Sequence, residues 1–416
     1  MPNQTQSKNF KHLARLDIPG GGQVTVGNGY AFVGHMNAPH GTSIIDVRDP
    51  RRPKLVHTIM LPDDLSHTHK VRVIGDLMFV NVEQAARHQT RQAGTAIEAD
   101  PNATDAEIAV RTGLPAKIVA SARFYTSRPY DLGGCKIYDI SDKARPREIA
   151  YIRTHGFGAH RFDVDERYLY LSTEMEGYIG NILVIYDLAD PSRPKEVSRW
   201  WMPGQHVAGG ETPSWQGYGH RLHHALRSGN RLWAACMKAG VYVIDCSDIT
   251  RPRTLGSYNY HPPFPSPTHT VMPIRARHNG RQVAVAVDEE HDFAPGEPHA
   301  GLWFLDVEDP ADIRPISVFH LQERASPHAL SGLTFGAHQY NETMHSDTLF
   351  VTWFSGGLRA VDTSKPAHPR ETGHFLPQPP DGYPAPMSND VCADASGIVY
   401  LCDRNRGLDI LQFEGG

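Results

Sequence analysis

The chain has 416 residues, 40% hydrophobic and 21% charged, which supplies core material for one large domain or several ordinary ones. A net charge of −5 lacks the polybasic signature of nucleic-acid or anionic-membrane binding, and no apolar run reaches the length of a membrane span. The first residues, MPNQTQSKNFKHLARL, hold no apolar secretory core, and five scattered cysteines (Cys135, Cys236, Cys246, Cys392, Cys402) read as reduced and mostly buried, so a cytoplasmic protein is expected.

KHLARLDI (11–18) is the first predicted strand. From there two kinds of hairpin alternate along the chain. The first kind turns on Gly, Asn or Asp: VGNGYAFV, VIGDLMFV, DVDERYLYL, RSGNRLWAA, RHNGRQVAVA, NETMHSDTLFV and ADASGIVYL. The second kind pairs an apolar strand with an Asp/Pro turn and a further strand. It occurs at 43–59 (SIIDVRDPRRPKLVHTI), 135–152, 183–200, 241–258, 302–319 and 358–375. Asp suits such a turn because it bonds nearby backbone, and Pro because it presets φ. One hairpin of each kind makes a four-stranded blade. The last blade has three strands of its own, ending in LDILQFEGG, and 11–18 supplies the fourth. The expected fold is therefore an all-β, seven-bladed β-propeller, a single domain over 1–416 closed by its N-terminal strand.

Residues 84–133 interrupt the second blade. TDAEIAVRTGL and PAKIVASARFY have helical patterns, with Thr104 or Asp105 as cap and Pro115 as a breaker or first-turn residue. This partly helical insertion is expected over the histidine face described next, as a lid, a membrane-docking patch or a contact between copies of the chain.

Histidine is the unusual residue, with 24 in the chain, roughly twice average usage. Aligned on their turns, the innermost strands of the second to sixth blades carry His69, His160, His220, His269 and His338 in one column. Gln23 and Asn389 hold the same column at the two ends. In a propeller that column converges on the central axis. Imidazoles gathered there suit a transition metal such as Fe, Cu, Mn or Zn. The other end of each hairpin puts Glu83, Glu174 and Asp288 beside His69, His160 and His269, where a carboxylate fixes a ligating ring. The run Asp288-Glu289-Glu290-His291 leaves the blade-five choice open. His67 sits two residues from His69 and competes with it. His223 and His224 lie deeper in their strand. His35, His67 and His291 are the acid–base candidates near this face.

The long connections gather on that same face, which is how binding pockets are built. Their aromatics, Trp215, Tyr218, Phe264 and Phe335, with Phe293 between them, are expected to line a cavity for a small-molecule substrate. There is no P-loop, GxGxxG, HExxH, CxxC or GxSxG, so phosphoryl transfer and nicotinamide chemistry have no support.

The second hairpins, LVIYDLADPSRPKEV and VYVIDCSDITRPRTL above all, resemble the LVIVD repeat over about 400 residues. That resemblance implies a propeller and no particular activity. The axial histidines are similar in layout, without a shared linear motif, to those of the carotenoid cleavage oxygenases and of the selenium-binding/methanethiol oxidase propellers. The layout implies a metal-dependent oxidoreductase with iron favoured, comparable to a non-haem dioxygenase, acting on a small organic or aromatic substrate. Two alternatives stand beside it. One is a divalent-metal lyase or hydrolase, as in the propeller lyase virginiamycin B lyase. The other is a non-enzymatic interaction scaffold.

Overall fold

The computed structural model describes residues 6–291 and 296–415; Phe293 lies outside them. The chain folds into successive antiparallel sheets, mostly of four strands, in a β-propeller. One sheet is typical: Ala159–Val164, Tyr168–Thr173, Ile182–Asp187 and Lys195–Trp200, in that order. Two such units, starting at His220 and Thr268, merge into an eight-stranded sheet through a single pairing, Met237 with Thr268. Between 338 and 341 the expected inner strand is reduced to one bridge, Tyr340 with Val351.

The Asp/Pro turns have one recurring construction. Asp46, Asp139, Asp187, Asp245, Asp306 and Asp362 each accept a hydrogen bond from the backbone N–H two residues on. Just before each of them the strand pairing slips by one residue, at Ile44/Ile45, Ile137/Tyr138, Ile185/Tyr186, Val243/Ile244, Phe304/Leu305 and Ala360/Val361. A bulge at a fixed position adds the same twist to every unit. Apolar side chains from adjacent sheets then pack together, as where Tyr170, Leu183 and Ile185 meet Leu222, Leu232 and Ile244.

The closing strand is where the sequence puts it. Phe10–Pro19 pairs with the C-terminal Arg406–Phe413. An unexpected short strand, Gln6–Lys8, pairs with Arg370–Leu376 of the preceding sheet, so the N-terminal segment ties two sheets at once.

The insertion leaves the strand Leu77–Gln84 and rejoins at Gly134–Asp139. It holds three helices, Arg87–Ala99, Asp105–Thr112 and Ala116–Ser127. Thr104 makes a capping box with Glu107, and Pro115 precedes the third helix. The first helix escapes sequence reading because its buried face is Arg87, Thr90, Ala93 and Ile97, a weakly apolar stripe. The helices share a small core of Ala93, Ile97, Ile108, Val119 and Ala122. No described helix is long and apolar enough to cross a membrane. All five cysteines are unpaired, and four are buried.

Candidate metal centre and axial cavity

A second set of bulges builds the site. On the inner strands the pairing skips His160, His269 and Asn389, and it skips the residues between His220 and His224. A bulge re-aims the skipped side chain. His160, His223 and His269 thereby come together with His69 and His338 as a row of imidazoles. Successive ring centroids lie 5.3 Å (His69–His160), 4.7 Å (His160–His223), 3.9 Å (His223–His269) and 4.4 Å (His269–His338) apart. Gly22 is the skipped residue of its strand, where a Cβ would lie 2.6 Å from the His69 carbonyl oxygen.

His223 therefore takes the place expected for His220. His220 stacks on Trp215 at 5.1 Å, away from the row. The inner strand His220–Ser228 is longer than its counterpart Ala159–Val164, so the imidazole at its start does not share the register of His160; His223 does, preceding Ser228 by the same interval as His160 precedes Asp165. Gln23, expected in the same column, accepts a hydrogen bond from Val71 N–H one position deeper.

Hydrogen bonds at the back of four rings set where each proton sits. His160 Nδ1–H donates to Glu83, 3.1 Å away. His224 Nε2–H donates to Glu342 at 3.1 Å, so its Nδ1 accepts from His223 Nδ1–H at 2.9 Å. Thr270 donates its hydroxyl hydrogen to Gln339 at 2.5 Å and accepts from His269 Nδ1–H at 3.1 Å. His338 Nδ1–H donates to the Asn389 carbonyl. Burial holds the rings neutral, with His160 and His338 lowered to about 3 and His223 and His269 well below the usual range. Each of the four keeps an Nε2 lone pair, and that of His223 is buried with no partner. His69 differs. Asn81 donates its amide to His69 Nδ1 at 3.3 Å, which puts the ring proton on Nε2.

Among the described residues two groups bring ligand atoms within 4.8 Å of one another: His67, His69 and Glu83, and His269, Glu289 and His338. They differ in their protons. Glu83 is saturated with donors: Arg87 at 2.5 Å, His67 Nε2 at 2.9 Å and His160. Burial pushes the Glu83 carboxyl up, but Arg87 and His160 outweigh it and hold it well below the carboxylate range. In the second group Glu289 Oε1 lies 3.5 Å from His338 Nε2, and Oε2 lies 3.9 Å from His269 Nε2. Three acceptors face one another there with no hydrogen between them, an arrangement that a cation relieves. The donor set, two imidazoles, a carboxylate and the neighbouring His223, fits a divalent transition metal.

The acids beside the histidines are not all those expected. Glu83 lies within the row, bonded to His160 rather than aligned with His69 alone. Glu174 turns away, accepting from Arg91 at 2.7 Å and from Phe157 N–H at 2.9 Å. Asp288 accepts from Tyr260 at 2.6 Å and Trp303 at 2.8 Å, between sheets. The neighbouring Glu289 faces the axis instead, because successive residues of an extended strand point to opposite sides.

Four of the row, His69, His160, His269 and His338, line a cavity of about 1250 Å³ that also includes His67, His291, Lys70, Arg221 and Arg404. The insertion forms its wall with Arg87, His88, Ile118 and Phe124. His291 donates to Glu289 at 2.7 Å. Both ring nitrogens of His67 face oxygen acceptors, Met36 carbonyl at 3.2 Å and Glu83, so His67 offers a proton rather than a lone pair. His35 lies elsewhere: it is buried, donates to the Pro19 carbonyl at 3.1 Å and bonds Ser43 at 2.7 Å. None of the four expected aromatics lines the cavity. Phe264 packs edge-on against Trp303 at 4.6 Å, Phe335 is core, and Tyr218 lies under Arg91 at 3.4 Å. Such rings held the loops onto the sheets, an outcome that aromatic content alone does not distinguish.

No protein-family model matches this sequence, and neither does any curated protein. Among solved structures the chain is similar to the Cps50 (Swd1) β-propeller domain of Myceliophteria thermophila. The TM-score is 0.53 at 10% identity, covering 97% of this chain and 99% of that one. The WD40 β-propeller domain of Doa1 has a TM-score of 0.53 at 7% identity, with 97% and 96% covered. The C-terminal WD40 domain of Sif2 has a TM-score of 0.53 at 6% identity, with 96% and 97% covered. At these identities the likeness shows the fold alone: this chain is a β-propeller.

Proposed function

We propose that the chain is a metal-dependent oxidoreductase acting on a small organic substrate in the axial cavity. We count its sheets as seven blades with LVIVD-like repeats, a reading supported by the bulge recurring before each turn aspartate. Free cysteines support a reducing, cytosolic setting.

One observation carries the functional reading: the lone pairs of His269 and His338 meet the Glu289 carboxylate with no proton between them. His269, His338 and Glu289 would hold the ion, with His223 and then His160 as the nearest further donors. Two histidines and a carboxylate favour iron over copper, manganese or zinc. A redox-active ion bound there would supply electron transfer to oxygen or substrate. The chain's own part is separate from the ion. Thr270, Asn389 and the His224–Glu342 pair hold three of the rings in one tautomer, and Glu83 holds His160. His67, hydrogen-bonded to Glu83, and His291, hydrogen-bonded to Glu289, line the cavity as its acid–base candidates.

Elemental analysis of protein purified without a histidine tag tests this. About one transition-metal ion per chain is expected in the parent and less than about a tenth in Glu289→Gln. Metal content near zero in the parent after reconstitution would sink the reading. Turnover that persists without oxygen would move it to a lyase or hydrolase on the same ion.

A further inference from the structure

Arg221 is a buried cation with no ion-pair partner among the described residues. Its side chain lines the axial cavity and the residue is 6% exposed. It donates one hydrogen bond, from Nη1 to the Tyr218 carbonyl at 2.6 Å, and forms no ion pair among the described residues. Its charged neighbours are Arg87 and Arg91, which are committed to Glu83 and Glu174, and the acids Glu289 and Glu83, neither of which is in ion-pair contact with it. Lys70, also in the cavity and 3% exposed, donates to the Gly22 carbonyl at 3.2 Å and makes no salt bridge among the described residues. A buried charge left in this way is destabilising unless a ligand meets it. On the cavity wall the cations Lys70, Arg87, Lys117, Arg221 and Arg404 outnumber the acids Asp64, Glu83 and Glu289. The lining also includes Met36, Leu65, Ile118, Phe124 and Met237, apolar side chains that a fully hydrated anion would not use.

We propose that the cavity binds an organic monocarboxylate, with the carboxylate on Arg221 and the apolar body against Met36, Leu65 and Ile118. The proposal deepens the functional reading above and rests on this cavity being the active site. A guanidinium forms paired N–H···O bonds with a planar carboxylate, and the apolar lining favours an anion with an organic body over inorganic phosphate.

The test is calorimetric titration of the full-length protein with trans-cinnamate, trans-cinnamamide and inorganic phosphate, in metal-free and metal-loaded preparations. The expected result is cinnamate binding at least tenfold tighter than the amide, already without metal. Arg221→Gln should remove at least tenfold of cinnamate affinity and leave the amide unchanged, and Arg221→Lys should recover part of it. The thermal midpoint of Arg221→Gln should stay or rise, because an unpaired buried charge is gone, which separates this role from a structural one. Equal affinity for acid and amide, or unchanged cinnamate affinity in Arg221→Gln, overturns the proposal. Tighter phosphate than cinnamate overturns the choice of carboxylate. Because the metal-free arm needs no ion, failure here and failure of the metal reading are separately visible.

Discussion

His223 and His220 sit on one strand three residues apart and have opposite surroundings. His223 has its Nδ1 proton fixed through His224 and its Nε2 bare, whereas His220 stacks on Trp215. His223→Gln is therefore expected to weaken metal binding at least tenfold in a chelator competition, and His220→Gln to leave it within twofold. The reverse order would mean the row is misassigned. Asp288 makes a different prediction. Burial pushes its carboxyl up to about 7, so the folded state holds a proton that the unfolded chain releases near its ordinary value of about 4. The folded state then binds more protons between those values, and stability falls as pH rises through that window. Asp288→Asn cannot release a proton, so its urea midpoint relative to the parent should rise from pH 4.5 to pH 7. A relative fall would mean that the Tyr260 and Trp303 donors keep the carboxylate charged.

At the scale of elements, the insertion is held to the blades by few contacts, and Arg91 makes several of them. Its guanidinium donates to Glu174 and lies 3.4 Å from the Tyr218 ring centroid and 4.3 Å from that of Phe157. Arg91→Ala should speed amide exchange in the helix Arg87–Ala99 by roughly tenfold, about 1.4 kcal/mol of local stability, and leave the global urea midpoint unchanged. A fall in the global midpoint would instead make the insertion part of the cooperative core. The sequence marks the second and third helices because Thr104, Gly113 and Pro115 punctuate them. It conceals the first, whose N-terminal Ala86 is left-handed (φ 52°) with no side-chain cap. Glu174 belongs to this scale too: the strand end pointed to His160, but a partner from the insertion, far along the chain, claimed it.

For the whole molecule, closure of the ring depends on the pairing of Phe10–Pro19 with Arg406–Phe413. Phe10 anchors it, 6% exposed and packed against Phe350 and Phe413 with centroids 5.9 and 5.0 Å apart. Phe10→Ala should cost about 3–5 kcal/mol in urea unfolding, the range for a buried Phe. A loss below about 1 kcal/mol would mean that the closure contributes little to stability.

Period-two apolar strands, turn chemistry and the hairpin repeat carry the propeller, its closing strand and the bounds of the insertion, because these depend on neighbours a few residues apart. The same patterns carry the gathering of His69, His160, His269 and His338 on one axis. What needs the tertiary structure is the choice among adjacent residues: His223 over His220, Glu289 over Asp288, Glu83 over Glu174 as the partner of His160. A bulge moves one side chain by a single position, and a strand alternates its faces at every residue, so an offset of one reverses the outcome. Arg221 shows the other limit. Its lack of an ion-pair partner among the described residues depends on every side chain around it, and no local pattern in the sequence records that.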